Sequence, residues 1–82
     1  GIRVNAIAPG AVATPLTAPL QTPEGDAAIR AMMAKHPSPT RRFFMDPEEI
    51  AHLALFLASE ASTSLHGAVL LADQGLSAAL PA

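Results

Sequence analysis

The sequence contains no cysteine, few basic residues and no long apolar run. The lack of cysteine excludes disulfide bonds, thiolate metal ligands and a cysteine nucleophile. Net charge is -2, and Arg41-Arg42 is the only basic pair, so we expect no nucleic-acid partner. Apolar stretches stop short of the roughly 20 residues of a membrane helix, and no basic-then-apolar leader is visible. These absences favour a cytoplasmic protein with no membrane partner.

Half of the 82 residues are apolar, which is enough to build a folded core. The chain starts at Gly1, and residues 2–7 already show the pattern of a strand. We interpret a chain that opens inside a strand as a piece of a longer domain. Pro9-Gly10 should end this strand, because proline cannot donate to a sheet ladder and glycine accepts a sharp turn.

A first helix is predicted within the long, proline-rich stretch that follows. Thr22 is a suitable N-cap, Pro23 suits the first helical position, and acidic residues in the first turn complement the helix dipole. His36-Pro37 should end this helix. A connection of this length in a compact fold is typical of a lid or a binding loop.

A second and clearer helix is predicted over residues 47–59. Asp46 acts as its N-cap, Pro47 occupies its first turn, and Glu49 is placed for a capping box. A continuous apolar run at residues 68–72 then fits a parallel strand that is buried on both faces. The order of strand, helices and strand predicts an α/β fold, in which one βαβ unit has a right-handed crossover.

Three segments resemble the C-terminal part of the short-chain dehydrogenases/reductases. They read RVNAIAPGAVAT at residues 3–14, PEEIA and LFLAS at 47–51 and 55–59, and GAVLLADQG at 67–75. The resemblance implies the terminal βαβ portion of a doubly wound, Rossmann-like parallel sheet. Residues 1–82 would then belong to a single dinucleotide-binding oxidoreductase domain, with residues 14–45 as the substrate lid. Gln74 departs from the family, which often has glycine there, and we expect it to adjust a turn.

The resemblance also implies a function and a cofactor site. The parent protein would transfer hydride between NAD or NADP and an alcohol or carbonyl substrate. Pro9 and Gly10 would shape the cofactor turn, Val12 would offer its backbone, and Thr14 would offer its hydroxyl and backbone to the nicotinamide carboxamide. The residues alone leave another interpretation open, in which Thr14 caps a helix that starts at Pro15 and Pro9-Gly10 is an ordinary turn.

The catalytic groups of that family are missing from this chain. Its general acid is a tyrosine, assisted by a lysine four residues later and by a serine upstream. The sequence has no tyrosine, its only lysine is Lys35 in the lid, and no glycine-rich phosphate loop occurs. We therefore assign no catalytic residue here, and the sequence decides neither the substrate nor the choice between NAD and NADP.

Other chemistry-bearing residues receive weaker interpretations. The spacings of His36, His52 and His66 match no zinc pattern, so no metal site is predicted. Arg41-Arg42 is interpreted as a solvated loop pair, with contact to a substrate anion as the alternative. In the lid, Phe43, Phe44 and Met45 are interpreted as anchors that hold it on the core. A substrate-lining role is the alternative considered for Met32, Met33 or Phe43.

The helix at residues 47–59 is apolar most of the way round, so one face should lie in a subunit interface. Leu55 and Phe56 point away from the face that suits the sheet. The resemblance implies that this helix and the last strand pack against their copies in a homo-oligomer. The alternative from another class is a non-catalytic, truncated interaction module that pairs with intact subunits.

The first prediction is that the purified 82-residue chain has no dehydrogenase activity. General acid–base assistance contributes roughly 10²–10⁴-fold to such reactions, and the chain lacks the tyrosine that would supply it. NADH or NADPH oxidation should stay at background with a panel of carbonyl compounds. Turnover that follows the chain through purification would contradict the prediction.

Overall fold

Two short parallel strands form the sheet of the computed structural model, which describes residues 1–35, 39–40 and 42–79. Strand β1, Ala6–Pro9, pairs with strand β2, Val69–Ala72, and the register aligns Ala6 with Val69 and Pro9 with Ala72. Parallel neighbours need a crossover, and this one carries helix α1, Pro23–Lys35, and helix α2, Pro47–Ala58. The α/β class and the βαβ order are thus confirmed, whereas the hand of the crossover and the wider doubly wound sheet stay predictions.

The start of β1 was predicted four residues too early. The segment that leads into β2 turns at Gly67, which has φ 71°. Strand β2 therefore begins only at Val69, and no strand lies opposite residues 2–5. Val4 still accepts a hydrogen bond from the Gly67 N–H at 2.8 Å. β1 also runs through Pro9, because the ladder uses the N–H groups of Ala6 and Gly10 on one side of the strand.

Side chains of the segment before β1 replace the missing ladder. Arg3 Nη1 donates to the carbonyl and hydroxyl oxygens of Ser62, both at 2.9 Å. Its Nη2 donates to the carbonyls of Leu57 at 3.2 Å and Ser59 at 3.1 Å. Asn5 donates to the Leu65 carbonyl at 3.0 Å and accepts from the Ala68 N–H at 2.9 Å. These bonds hold the first residues against the loop that leads into β2.

Both predicted helices are present. Helix α1 covers Pro23–Lys35, and the Thr22 hydroxyl accepts from the Gly25 N–H at 3.1 Å as an N-cap. The predicted stop at His36-Pro37 lies outside the described residues. Helix α2 covers Pro47–Ala58 and ends one residue before the predicted Ser59. Its capping box is also confirmed, because Glu49 Oε2 accepts from the Asp46 N–H at 2.7 Å.

Three short 3₁₀ helices are also present: Pro15–Gln21, Glu60–Ser62 and Ser77–Ala79. The first begins where one interpretation of Thr14 placed a helix, and no element was predicted for the other two. The first contains Pro19, which cannot donate the hydrogen bond that a longer α-helix would require there. Within the described ranges, no helix has the length and apolar character to cross a membrane.

The molecule is a thin layer with extents of 48 × 33 × 16 Å. Its radius of gyration is 15.1 Å, against about 12 Å for a compact domain of this length. Among the described residues, Met45 is the only buried apolar side chain, at 5% exposure. Val69 and Leu71 on one face of β2 are 69% and 59% exposed. One face of the sheet is therefore open within this chain.

The second prediction is that the 82-residue chain alone is loosely packed. An uncovered apolar sheet face and open strand edges favour association over a unique fold. Thermal unfolding followed by far-ultraviolet circular dichroism should be broad, and the chain should bind the dye ANS. A sharp, concentration-independent melt of a monomer would show that the layer is stable without a cover.

Candidate functional site

The carboxyl ends of β1 and β2 lie side by side. The Gly10 N–H donates to the Ala72 carbonyl at 3.0 Å, immediately beyond both strands. Ligands of open α/β sheets bind beyond this end of the strands. The turn at residues 9–14, predicted to contact a cofactor, therefore occupies the position that the fold offers for a ligand.

Gly10 lies in close contact with the turn that follows β2. A Cβ atom at this position would lie 2.9 Å from Asp73 Cβ and 3.0 Å from Asp73 Cα. Both are closer than side-chain packing tolerates, and Asp73 Cα belongs to the backbone. Glycine is thus required here by the approach of two turns, in keeping with the predicted role of Gly10 in shaping the chain.

Val12 forms an isolated parallel bridge with Met45. The Ala13 N–H donates to the Met45 carbonyl, and the Met45 N–H donates to the Ala11 carbonyl, both at 2.9 Å. In this pattern the N–H and carbonyl of Val12 face away from Met45. The carbonyl accepts from Thr17 Oγ1 at 2.7 Å, whereas no described residue accepts a hydrogen bond from the Val12 N–H. The Val12 N–H is thus a backbone donor of the turn that the described residues leave without an acceptor.

Thr14 is the N-cap residue of the 3₁₀ helix and forms a capping box with Thr17. Its backbone N–H donates to Thr17 Oγ1 at 3.1 Å, and its carbonyl accepts from the Thr17 N–H at 3.0 Å. The interpretation of Thr14 as a cap is thus confirmed. Its backbone is committed to its own helix, while its hydroxyl keeps a donor even when it accepts a hydrogen bond.

Asp73 is a member of the site for which no role was predicted. Its Oδ1 accepts from the Gly75 N–H and its Oδ2 from the Ser77 N–H, both at 3.0 Å. Hydrogen bonds from the Ser77 side chain, then from the backbones of Ser77 and Gly75, lower the pKa of Asp73. The carboxylate therefore stays ionised and holds the turn against Gly10. The Asp-x-Gly pattern after a strand was the available signal.

Gln74 and Arg42 connect this turn to the lid. Gln74 has φ 61°, so it does adopt the turn conformation for which the family often uses glycine. Arg42 donates to Gln74 Oε1 at 2.9 Å and forms an ion pair with Glu49 at 2.6 Å. Hydrogen bonds from Arg42 and from the Asp46 N–H lower the pKa of Glu49. Arg42 is solvated as predicted, with 49% of its side chain exposed, and it also contacts Glu49 and Gln74, whereas Arg41 lies outside the described residues.

A cleft of about 500 Å³ opens between the first helices and the segment before α2. Phe43 and Phe44 form one wall, with ring centroids 5.0 Å apart in an edge-to-face arrangement. The other lining residues are Leu20, Gln21, Thr22, Pro23, Asp26 and Ile29. Phe43 thus lines this cleft, as one interpretation proposed, whereas Met32 and Met33 are not among its lining residues. Met45 does anchor the lid, through its burial and its bridge to Val12.

The predicted histidine positions show no clustering where they are described. His52 lies exposed on α2 and His66 lies exposed before β2, while His36 is outside the described residues. In the part of the chain that the structure covers, no group of three or more His, Cys, Asp or Glu residues is placed to hold a metal ion.

Residues 1–77 match the family model described as enoyl-(acyl carrier protein) reductase. The short-chain dehydrogenase/reductase astE of Aspergillus oryzae is 45% identical over 82 residues, covering 94% of this chain and 28% of the relative. The cis-4-hydroxycyclohexanecarboxylate dehydrogenase of Sinomonas cyclohexanicum is 46% identical over 78 residues, covering 95% and 28%. The 3-alpha-hydroxysteroid dehydrogenase/carbonyl reductase of Comamonas testosteroni is 41% identical over 80 residues, covering 98% and 30%.

The chain belongs to the short-chain dehydrogenase/reductase family of oxidoreductases. The match extends over both strands, both α-helices and the turn described above. The chain spans 28% to 30% of the length of these three relatives.

The third prediction concerns Gly10→Ala in the complete product of the reading frame that encodes this chain. The added methyl group must displace Asp73, and overpacking of this kind costs about 1–3 kcal/mol. The free energy of unfolding in urea should fall by that amount. Gly1→Ala is the control, because a Cβ atom there meets nothing within 4 Å. Equal stability of the two variants would contradict the prediction, because it would mean that the turns at Gly10 and Asp73 can move apart without cost.

Proposed function

We propose that this chain is the nicotinamide-side part of an NAD(P)-dependent oxidoreductase that transfers hydride between the cofactor and a small alcohol or carbonyl substrate. Family membership supports the reaction class. The observation that carries the site assignment is the Val12 N–H, which faces away from the Met45 bridge at the carboxyl end of the sheet. No described residue accepts its hydrogen bond, so it is available to a ligand.

The turn fits one end of a nicotinamide cofactor. A carboxamide has one oxygen acceptor and an amino group with two donors. The Val12 N–H supplies a donor to the oxygen, and the Thr14 hydroxyl supplies a second polar contact. Pro9 and Gly10 shape the backbone that brings both groups to the strand ends. Together these contacts would fix which face of the ring meets the substrate.

The bound cofactor would supply the hydride acceptor or donor, and this chain would bind and orient it. Proton transfer and pyrophosphate binding need residues of other types than those at this turn. The 82 residues contain no tyrosine and no glycine-rich phosphate loop. The choice between NAD and NADP would be made outside this chain.

Residues 14–45 would form the substrate lid. The cleft wall of Phe43 and Phe44 is followed by Met45, which is hydrogen-bonded to Ala11 and Ala13. These two hydrogen bonds would attach the end of the lid to the cofactor turn. The lining is largely apolar, which suits the hydrocarbon part of an alcohol or ketone.

The outer surface of α2 and the exposed face of β2 would form a homo-oligomer interface. Leu55 is 70% exposed and Phe56 is 40% exposed on the helix, and Val69 and Leu71 are exposed on the strand. Apolar groups of this size on neighbouring elements favour a protein cover. We place the assembled protein in the cytoplasm, because a chain without cysteine needs no oxidising compartment.

A second candidate is a non-catalytic interaction module. The same exposed apolar surface favours it, because the chain would pair with intact subunits through α2 and β2. The nucleotide sequence upstream of the Gly1 codon discriminates between the two. An open frame that encodes a glycine-rich loop and a Tyr-x-x-x-Lys helix supports the oxidoreductase, whereas a start codon directly upstream supports the module.

The fourth prediction tests the cofactor turn with Thr14→Val in the reading-frame product. Loss of one hydrogen bond to a buried carboxamide costs about 1–3 kcal/mol, so the KM for NADH or NADPH should rise by roughly five- to 150-fold. The KM for the carbonyl substrate should change much less. Thr63→Val is the matched control, because Thr63 is exposed and lies outside the turn. A normal cofactor KM with normal stability would reduce Thr14 to a helix cap.

A further inference from the structure

Gln74 occupies a backbone position that favours glycine. It follows β2 by two residues and has φ 61°, in the left-handed region. A residue with a Cβ atom is less favourable there than glycine, because the Cβ atom crowds the backbone in the left-handed region. A long side chain at such a position calls for an interaction that offsets this cost.

The Gln74 amide is fully engaged with the segment that precedes α2. Its Oε1 accepts from Thr40 Oγ1 and from Arg42 Nε, both at 2.9 Å. Its Nε2 donates to the carbonyls of Arg42 at 3.2 Å and Phe43 at 3.4 Å. Two donors and two acceptor sites are the whole capacity of the group. The amide therefore binds Thr40, Arg42 and Phe43 through four hydrogen bonds.

Two further contacts tie the same segment in place. Gly75 has φ 80°, and a Cβ atom there would lie 3.2 Å from Pro39 Cγ, so Pro39 packs closely on the turn. On the other side, Arg42 donates to Glu49 Oε1 at 2.6 Å, within the capping box of α2. The segment is thus held between the turn after β2 and the start of α2.

The segment continues directly into the cleft and the cofactor turn. Phe43 and Phe44 line the cleft, and Met45 is hydrogen-bonded to Ala11 and Ala13. The two phenylalanines therefore lie between two anchored residues, Arg42 and Met45. Release of the Arg42 end would free one side of the aromatic wall while the Met45 bridge stays intact.

We propose that Gln74 is a positioning residue, which holds Thr40, Arg42 and Phe43 and thereby sets the position of the Phe43–Phe44 wall that receives the apolar part of the substrate. Gln74 does not line the cleft itself. This inference rests on the proposed function for the identity of the ligand. It assigns substrate affinity to a side chain in the turn after the last strand.

The test uses two variants of the reading-frame product, Gln74→Gly and Gln74→Asn. Glycine removes the four hydrogen bonds and also relieves the left-handed backbone, so stability should not fall. Asparagine tolerates the same backbone and keeps the amide but is one methylene shorter. Arg42→Met, alone and combined with Gln74→Gly, completes a double-mutant cycle.

We expect the KM for the carbonyl compound that the unmodified protein reduces fastest to rise about three- to tenfold in both Gln74 variants, the effect of losing one or two net hydrogen bonds. The kcat, the cofactor affinity and the melting temperature should stay near the unmodified values. Hydrogen exchange of a peptide covering residues 42–46 should accelerate. The double variant should lose less than the product of the two single effects.

Two results would overturn the proposal. Unchanged exchange in residues 42–46 would show that Gln74 does not hold the segment. Faster exchange with an unchanged substrate KM would show that the segment does not set substrate affinity. An unmodified product without nicotinamide-dependent turnover would overturn the proposed function and the affinity role together, while the exchange measurement would still decide whether Gln74 holds Thr40, Arg42 and Phe43.

Discussion

The contact of Arg3 with the C-terminal end of α2 is the interaction on which the arrangement of this chain depends. The last carbonyls of a helix lack intrahelical donors and carry the negative end of its dipole. The Arg3 guanidinium donates to two carbonyls there, of Leu57 and Ser59, and to Ser62 in the following turn. The first residues of the chain are thereby fixed beside the loop before β2. The parallel pairing, and the meeting of the two carboxyl ends at Gly10, follow from that placement.

Local chemistry made the helices and the site turn predictable. Pro23 fits the first helical position, and Asp46 and Glu49 satisfy each other's backbone N–H groups in a capping box, so both signals lie within a few residues. Pro9-Gly10 is likewise a local signal, because proline lacks a donor and glycine accepts a sharp turn. The start of β1 was not predictable in this way, because it depends on where its partner strand β2 begins, after the turn at Gly67. An apolar pattern indicates that residues 2–7 favour a strand but cannot show where the partner ends.

The parts of the site that were missed depend on contacts distant in sequence. Gln74 and Arg42 are separated by 32 residues, and the bridge between Val12 and Met45 joins two stretches without a strand pattern. The family resemblance indicated that Gln74 stands where glycine is common, but only the folded backbone shows what the longer side chain contacts. The tight fit of Gly10 against Asp73 likewise depends on the lateral distance between two turns, which no sequence spacing encodes.

The thinness of the molecule has a consequence for how selection acts on it. In a layer 16 Å thick, most apolar side chains reach an outer surface, so the packing of this chain alone constrains few of them. Polar replacements at Val69, Leu71 or Leu55 would change little within the layer itself. Any evolutionary pressure that keeps those positions apolar must therefore come from whatever covers the layer. The residue types that are tolerated at these positions would thus depend on the surface that packs against the layer.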